Sequence, residues 1–466
     1  MKKRKISLWL NVVTICLSIC AIAIGVYSIK NANLSIGGSL GFVSHNAKVN
    51  IEAYMYGYST SSSGENPITE ANKTQLTADG GLNVDGETGV INILSTKGSG
   101  SESRYFSDAS GNLEPIRIVL TITNNSDFEV LMDADVTVPE SSKCDFVCDN
   151  ALQVLYTANE GTKSKTATLT YILFPKIVDA KYTEIATPEK VSFLINFSKL
   201  NTQISSEGFT FDSTTNPTKI YGVPASDGTS DVLVIPSTFT DLPGKTITEI
   251  ATSSSSASTA IDTTNFKKLV ILDGIKTIST YSFYKLGSVG GLLEKVSLPN
   301  TLISLGTYAF GSQPQSNLVA CGLPASLTTL GNNAFHNSSI RYLNIPNTIK
   351  TISAQGAKYV FVDIPEGVET ISSSAFTGSL FLSINIPNGV NALELRAFYS
   401  CKNLTKITLP NSLTKIGVGV FASSTNLHTI IFKGTMNQWN GVTKSDGWDR
   451  DMNGYTIYCT DGNIVN

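Results

Sequence analysis

Few residues of this 466-residue chain have the types and the spacing that catalysis requires. Its three histidines are His45, His336 and His428, and they lie far apart in the sequence. No H-E-x-x-H pattern is present, so the metalloprotease signature is missing. No cysteine nucleophile or carboxylate stands at a telling spacing from the two later histidines. We therefore predict no catalytic residues, no cofactor and no enzymatic activity.

One segment near the carboxyl end resembles the start of a calcium-binding loop. In the sequence DRDMNG, the side chains of Asp449, Asp451 and Asn453 stand at the alternate positions that a D-x-[DN]-x-[DN]-G loop uses as ligands. The twelfth position is Thr460, where such a loop places a bidentate glutamate. These three residues are a weak candidate for a metal site, and we expect no bound metal.

The seven cysteines do not form a regular framework. Cys16 and Cys20 lie within an apolar run, and the five others are irregularly spaced, which argues against a disulfide scaffold. Cys144 and Cys148 are four residues apart, with no second pair to complete a zinc site. Either they form a local disulfide across a turn or they belong to a buried loop without chemistry, and the sequence leaves both alternatives open.

The composition excludes one large class of partner. The formal charge is -3, only 15% of the residues are charged, and 41% are hydrophobic. A nucleic-acid-binding surface needs a strongly basic patch, which this balance does not provide. The chain has instead enough apolar residues to bury the cores of two or three domains.

The amino-terminal segment, residues 1–31, has the pattern of a membrane anchor. A basic stub, MKKRK, precedes an uncharged apolar run from Ile6 to Ile29 that is long enough to span a bilayer as a helix. Because basic residues stay on the cytoplasmic side, the rest of the chain is expected outside the cell. Cleavage as a secretory signal stays open, although this run is longer than the apolar part of a signal peptide.

Short runs with strand patterning fill residues 32–202. Several alternate apolar and polar side chains, as a half-buried strand does, and Gly, Asn, Asp and Ser stand between them. Seven or more such strands predict an antiparallel, jelly-roll-like β-sandwich. The pattern resembles surface proteins of Gram-positive gut bacteria and, more distantly, the camelysin and TasA group, without a diagnostic motif.

An internal repeat is the strongest signal in the sequence. The segment LEKVSLPNTLISLGTYAF from Leu293 and the segment LTKITLPNSLTKIGVGVF from Leu404 match at the apolar positions that recur in the repeat. The prolines that mark the repeat are separated by 25, 22, 19, 22 and 23 residues, at Pro299, Pro324, Pro346, Pro365, Pro387 and Pro410. Such spacing is typical of leucine-rich repeats, which stack into a solenoid. The unit that begins at Ile340 is degenerate, because it lacks the final phenylalanine.

The repeat phase predicts which side chains form the core. Each L-x-x-[VI]-x-[LI] stretch should be a short strand of a parallel sheet, ended by the proline, with the terminal phenylalanine filling the far side of the coil. Cys321 and Cys401 fall at core positions and are expected to be buried thiols. The predicted repeat core comprises Leu298, Phe310, Leu323, Phe335, Ile364, Phe376, Ile386, Phe398, Leu409 and Phe421.

The repeat unit resembles the BspA-type bacterial leucine-rich repeats. The resemblance implies a linker and amino-terminal cap at residues 203–262, repeats at 263–442 and a carboxyl-terminal cap at 443–466. Trp439 and Trp448 are expected to close the end of the core. Proteins of this family are implicated in attachment to host or neighbouring cells.

Two functions from different classes follow from these patterns. The first is a single-pass, membrane-anchored surface protein that uses the solenoid for adhesion to a protein or glycan on host or neighbouring cells. The alternative is a structural protein that forms fibres or a matrix through edge strands of the β-sandwich. An exported hydrolase ranks below both, since no catalytic residues are predicted.

Overall fold

Two lobes make up the described part of the computed structural model. The described residues are 14–19, 32–44, 48–61, 64–68, 74–76, 83–85, 89–92, 103–105, 116–137, 144–178, 181–182, 189–226, 228, 230–252, 260–263, 265–286, 292–313, 316–353 and 355–466. We call the part up to Leu200 the amino-terminal lobe and the part after it the solenoid. Nearly all regular structure is β, which confirms the prediction of a mainly-β chain with a carboxyl-terminal solenoid.

The amino-terminal lobe is built from one branched, 14-stranded sheet and a separate two-stranded sheet between residues 177 and 182. Its strands are β1 (Thr14–Ile19), β2 (Ala32–Ser44), β3 (Lys48–Ser61), β4 (Gly64–Ile68), β5 (Thr74–Leu76), β6 (Asn83–Asp85), β7 (Gly89–Asn92), β8 (Ser103–Tyr105), β9 (Ile116–Asn124), β10 (Val130–Thr137), β11 (Cys144–Asp149), β12 (Leu152–Leu155), β13 (Thr166–Pro175), β14 (Ile177–Val178), β15 (Lys181–Tyr182) and β16 (Glu189–Lys199). The strand order is β11-β13-β9-β3-β8-β1-β2-β16-β10-β12, and most neighbours are antiparallel. Alternate side chains such as Leu120, Ile122 and Leu169 are fully buried, as the sequence pattern requires.

The segment predicted to cross the membrane is described only in part. Thr14–Ile19, in the middle of the predicted helix, form strand β1, which pairs antiparallel with β2. An apolar run satisfies a buried strand as well as a helix, so the apolar pattern alone does not distinguish the two. Residues 1–13 and 20–31 lie outside the described residues. Within the described part of the chain, no helix is both long and apolar enough to cross a membrane.

The solenoid consists of short strands in repeating order. They are β17 (Thr210–Phe211), β18 (Lys219–Gly222), β19 (Val232–Ile235), β20 (Glu249–Ile250), β21 (Lys268–Ile271), β22 (Thr277–Ile278), β23 (Lys285–Leu286), β24 (Lys295–Ser297), β25 (Ser304–Leu305), β26 (Ser312–Gln313), β27 (Ala320–Cys321), β28 (Thr329–Leu330), β29 (Tyr342–Asn344), β30 (Thr351–Ile352), β31 (Phe361–Asp363), β32 (Thr370–Ile371), β33 (Ser383–Asn385), β34 (Ala392–Leu393), β35 (Lys406–Leu409), β36 (Lys415–Ile416), β37 (Thr429–Phe432), β38 (Thr443–Lys444), β39 (Thr456–Cys459) and β40 (Gly462–Val465). One short helix, α1 (Met436–Gly441), starts with a capping box in which Thr435 and Gln438 bond each other's backbone.

Each coil contributes one strand to each of two parallel ladders. The first ladder is formed by β19, β21, β24 and β27, by the pair β29 and β31, and by β33, β35, β37 and β39; we call its outer surface the strand face. The second ladder is formed by β18, β20, β22, β25 and β28, and then by β30, β32, β34, β36 and β38; we call these the return strands. The repeat proline sits between the two, where its carbonyl accepts a bond from the residue three positions on, as Pro299 does from Leu302. The proline thus ends the strand and begins the turn.

A third set of backbone bonds joins the coils on the far side. The phenylalanine of one coil donates its N–H to the residue before the phenylalanine of the next, as Phe376 does to Ala397 and Phe398 does to Val420. In the degenerate coil, Gln355 makes the equivalent bond to Ala375, so a fully buried glutamine stands in the phenylalanine column. The column is therefore continuous in backbone but not in side-chain type.

Candidate functional site

The residues predicted as repeat core lie along the axis of the solenoid. The five phenylalanines Phe310, Phe335, Phe376, Phe398 and Phe421 are at most 3% exposed, and Ile386 and Leu409 are fully buried. Leu298, Leu323 and Ile364 are partly buried and pack against the same core. Adjacent rings of the column are in contact, with 5.8 Å between the centroids of Phe398 and Phe421. These positions hold the solenoid together and leave ligand contact to outward-facing residues.

The residues considered for metal or catalysis are not brought together. Asp449 accepts a bond from the Tyr455 hydroxyl at 2.6 Å, and Asp451 accepts one from Ser423 at 3.2 Å. Among the residues that the structure describes, no group of three or more His, Cys, Asp or Glu side chains could hold a metal ion.

The two described histidines occupy unrelated places. His336 packs its ring against Tyr308, with 5.3 Å between centroids. The Nδ1 atom of His428 lies 2.9 Å from the Thr429 hydroxyl, and burial lowers the pKa of that histidine. His45 lies outside the described residues.

Four cysteines are described as free thiols, and two of them are buried. Cys144 and Cys148 both lie on strand β11, so they are separated by about 13 Å of extended chain, which is too far for a disulfide. Cys148 is free, and the suggested local disulfide is therefore wrong. Cys321 and Cys401 are buried free thiols, and burial raises the pKa of Cys401 to about 12. Both are core residues, as the repeat phase predicts.

The strand face is in contact with the amino-terminal lobe. The centre of this contact is Lys295, on β24, whose Nζ lies 2.6 Å from Asp133 and 2.5 Å from Asp135 on β10 and also donates to the carbonyl of Ala134. Lys268, one coil earlier in the same register, lies 2.8 Å from the other oxygen of Asp133. Lys295 and Asp133 are 5% and 7% exposed, so this is a buried ion pair. The two lysines lower the pKa of Asp133 despite its burial, which by itself would raise it.

Apolar side chains surround this charged centre. One cluster joins Leu131 and Leu152 of the lobe to Val270 and Leu272 of the solenoid. A second cluster, three coils further along, joins Ile172 of the lobe to solenoid residues that include Tyr342 and Val360. The apolar area in these clusters stabilises the contact without fixing its register. The ion pairs between the two clusters fix the register of the contact.

Two further ion pairs lie at the far end of the contact. Arg117 of β9 lies 2.7 Å from Asp363 of β31, and Arg341 lies 2.8 Å from Asp145 of β11. The described contacts therefore run along the strand face from β19 to β31. A small cavity of about 190 Å³ remains in the contact, between the turn at Asn150 and the strand ends around Val296 and Gly322.

A glycine permits the closest approach of the two lobes. A Cβ atom at Gly322 would lie 1.5 Å from Oδ1 of Asn150, which forms the turn between β11 and β12 with a φ of 57°. The equivalent positions of other coils carry side chains, for example Ser297 and Asn385. Only a residue without Cβ fits at this one coil.

Sequence reasoning did not identify this contact. Nothing in the repeat pattern singles out Lys268, Lys295 or Gly322. One signal was available, since two consecutive coils carry lysine at the same outward position of an otherwise weakly charged strand face. The partner, Asp133, is 162 residues away from Lys295 in sequence.

The comparisons with known proteins concern the solenoid. Six copies of the BspA type leucine rich repeat region match residues 254–356 and 355–442. No curated protein matches the sequence. Since the matched residues all lie in the solenoid, the camelysin and TasA resemblance of residues 32–202 stays a prediction.

Several solved structures are similar over about half of the chain. A leucine-rich repeat protein from Bacteroides ovatus is 16% identical, over 53% of this chain and 75% of its own, with a TM-score of 0.28. The leucine-rich repeat protein of T. pallidum is 20% identical, over 48% of this chain and 90% of its own, with a TM-score of 0.31. A leucine-rich cell surface protein from Faecalibacterium prausnitzii is 15% identical, over 53% of this chain and 99% of its own, with a TM-score of 0.23.

The repeat register, the parallel ladders and the family match agree on the carboxyl-terminal half. Residues 254–442 of this chain match the BspA type leucine rich repeat region.

Proposed function

We propose that the protein is a cell-surface binding protein of the adhesion type, presenting a BspA-type solenoid to a protein or glycan on host or neighbouring cells. The observation that carries the proposal is the run of six repeat copies, because stacked coils create one long outer surface whose residues vary freely while the core is kept. The described candidates for chemistry are scattered, which is compatible with a role in binding.

The amino-terminal lobe acts in this proposal as a rigid partner of the solenoid. It contacts the strand face through a buried ion pair and two apolar clusters. The strand face between β19 and β31 is therefore engaged within the molecule, and a ligand would contact other surfaces of the same unit.

The experiment is binding of the purified full chain to an array of immobilised extracellular-matrix proteins and glycans. Saturable binding to at least one array member, competed by unlabelled protein, is the expected result. Full chain whose solenoid has been heat-denatured serves as the control and should lose the signal. Absence of saturable binding to every member of the array would contradict the proposal.

The proposal includes retention at the membrane by residues 1–31, with the basic stub inside the cell. This part is supported by the sequence alone, through the basic stub and the apolar run that follows it. Mass spectrometry of the membrane fraction should detect peptides from the intact amino terminus. A mature chain that starts near Asn33 would show cleavage instead.

The alternative role, fibre formation through edge strands of the amino-terminal lobe, is less well supported. The strands at the two ends of the sheet order are β11 and β12. Both lie against the solenoid, β11 next to β27 and β29 and β12 next to β21 and β24. A covered edge is not available to pair with another molecule. Filaments of the full chain in electron micrographs would favour the alternative, whereas a monodisperse monomer would count against it.

A further inference from the structure

The solenoid has a second long surface, on the side where each coil turns after its return strand. At that turn, the residue two positions before the phenylalanine column has a positive φ in coil after coil. The residues at this position are Tyr281, Tyr308, Asn333, Ser374, Arg396 and Gly419. We call this surface the loop side. The contacts between the lobes run through the strand face and its turns, so the loop side is a separate surface.

Two adjacent coils place tyrosine at this position. The rings of Tyr281 and Tyr308 are stacked, with 5.3 Å between centroids and 10° between planes. Tyr284 packs edge-on against both, at 5.3 and 5.7 Å. His336 packs against Tyr308 at 5.3 Å, and the amide nitrogen of Asn333 donates to the Tyr308 hydroxyl at 3.0 Å. We call these five residues the aromatic ridge.

Tyrosine is an unfavourable choice for this backbone conformation. The φ angles of Tyr281 and Tyr308 are 60° and 54°, in the left-handed region that costs a residue with a Cβ about 1–2 kcal/mol. In a later coil the same position is Gly419, which adopts this conformation without that cost. A coil of this solenoid can therefore form its turn without an aromatic side chain at this position, so the fold does not require tyrosine.

Two glycines keep the backbone beneath the ridge open. A Cβ atom at Gly311 would lie 3.0 Å from ring atoms of both Tyr284 and Tyr308. A Cβ atom at Gly356 would lie 2.8 Å from Cδ2 of His336. The rings thus rest directly on the backbone of neighbouring coils. Rings held in this way lose little entropy when a ligand binds.

We propose that the aromatic ridge is a binding site for a neutral saccharide, a proposal that rests on the binding function proposed above and names its ligand class. The five side chains include no carboxylate, ammonium or guanidinium group, so neutral polar and aromatic groups dominate this surface, with the imidazole of His336 as its one basic group. A tyrosine combines an apolar ring with a hydroxyl, and an asparagine amide can both donate and accept. A sugar ring offers the complementary pair, apolar C–H faces for the rings and hydroxyls for the polar tips.

The test uses the full chain and four immobilised probes, the hexasaccharides of glucose, galactose, mannose and N-acetylglucosamine. Wild type should bind at least one of them saturably. Tyr308→Gly removes the central ring and at the same time relieves the positive φ, so the variant is expected to fold, which a melting curve verifies. It should bind that probe at least about tenfold more weakly, the effect of losing one buried contact of about 1.4 kcal/mol.

The matched control is Arg396→Gly. It makes the same backbone change at the same position of a coil outside the ridge, and its affinity for the probe should equal that of wild type. A milder second variant, Tyr308→Phe, keeps the ring and loses the bond with Asn333, and should show a smaller loss.

Failure of this proposal is distinguishable from failure of the proposed function. If wild type binds none of the four probes, or if Tyr308→Gly binds as well as wild type, the saccharide site is overturned. The proposed function still stands in that case if wild type binds a member of the matrix array, and it fails as well if wild type binds nothing.

Discussion

The phenylalanine column shows how single side chains stabilise the stacked coils. Phe398 is fully buried and contacts the rings of Phe376, Phe381 and Phe421, so it joins three coils. Lys415 lies at the surface, where its ammonium pairs with Glu394 at 2.9 Å and its side chain is 48% exposed. The two positions therefore differ in what they contribute to the free energy of unfolding.

We predict that Phe398→Ala lowers the free energy of unfolding by about 3–5 kcal/mol, because apolar area is lost and a cavity is left. Lys415→Ala should lower it by less than about 1 kcal/mol, since exposed ion pairs stabilise little. Denaturant titration of the two full-length variants beside wild type measures both values. Equal losses would mean that the repeat register is wrong.

Calcium should not affect the carboxyl-terminal end of the solenoid. Asp449 and Asp451 bond to Tyr455 and Ser423 and do not converge, and the calcium-loop pattern lacks its final glutamate. The melting temperature of the full chain is therefore expected to be the same with calcium and with chelator. A decrease on chelation that Asp451→Ala abolishes would refute this prediction.

At the scale of elements, the contact between β27 and the turn linking β11 to β12 decides how the lobes meet. Gly322 follows β27 directly, and the Asn150 side chain occupies the place where a Cβ would be. The same contact covers both terminal strands of the amino-terminal sheet. A single side chain at this point should therefore disturb a large surface.

We predict that Gly322→Val separates β11 and β12 from the strand face, because its side chain overlaps Asn150. Hydrogen exchange of the full chain should show faster exchange in peptides covering residues 144–155. The matched control is Asn385→Val, at the same position of a later coil, which should leave these peptides unchanged. Unaltered protection in Gly322→Val would show that the lobes do not meet at this turn.

At the scale of the whole molecule, the contact between the lobes contains acids with opposite pH behaviour. Burial, and then the nearby charge of Asp363, raises the pKa of Asp149 from 3.8 to about 6, while bonds from Asn344 and the Asn150 backbone oppose the rise. Asp133 is held in its charged form by two lysines, so its pKa is lowered. Protonation of Asp149 therefore stabilises the contact between the lobes, whereas protonation of Asp133 weakens it.

The expected result is a stability optimum below neutral pH. The folded state holds an extra proton on Asp149 between about pH 4 and pH 6, so its stability falls as pH rises through this window. The contribution of Asp133 is present above pH 3.8 and is lost only at lower pH. Asp149→Asn should raise the stability of the full chain at pH 7.5 by about twice as much as at pH 5, which lies midway through this window, as measured by denaturant titration.

The control for the pH experiment is Asp145→Asn, which removes a carboxylate that is paired with Arg341. This variant should be no more stable than wild type at either pH. If Asp149→Asn were also destabilised at pH 7.5, the Asp149 carboxylate would be favourable in its charged form, and stability would not fall as pH rises through the window of its titration.

The sequence by itself determined the solenoid, its phase and its core. Each coil packs only on its neighbours, so the positions that must be apolar recur at short, regular spacing and can be read without knowing the rest of the fold. That is why Phe335 or Leu409 could be assigned from the pattern. The same local logic failed at Gln355, where a polar residue fills a core column, because the backbone bonds of the coil persist without the expected side chain.

The tertiary structure alone decided how the two halves of the chain meet. Lys295 and Asp133 are 162 residues apart, and Gly322 and Asn150 also belong to different lobes. No sequence periodicity links residues of different lobes. Each solenoid strand has an outward face, and the sequence pattern does not say which surface covers that face. The tyrosines of the aromatic ridge were hidden for the same reason, because a positive φ and a neighbouring coil, neither of them visible in the sequence, give those rings their place.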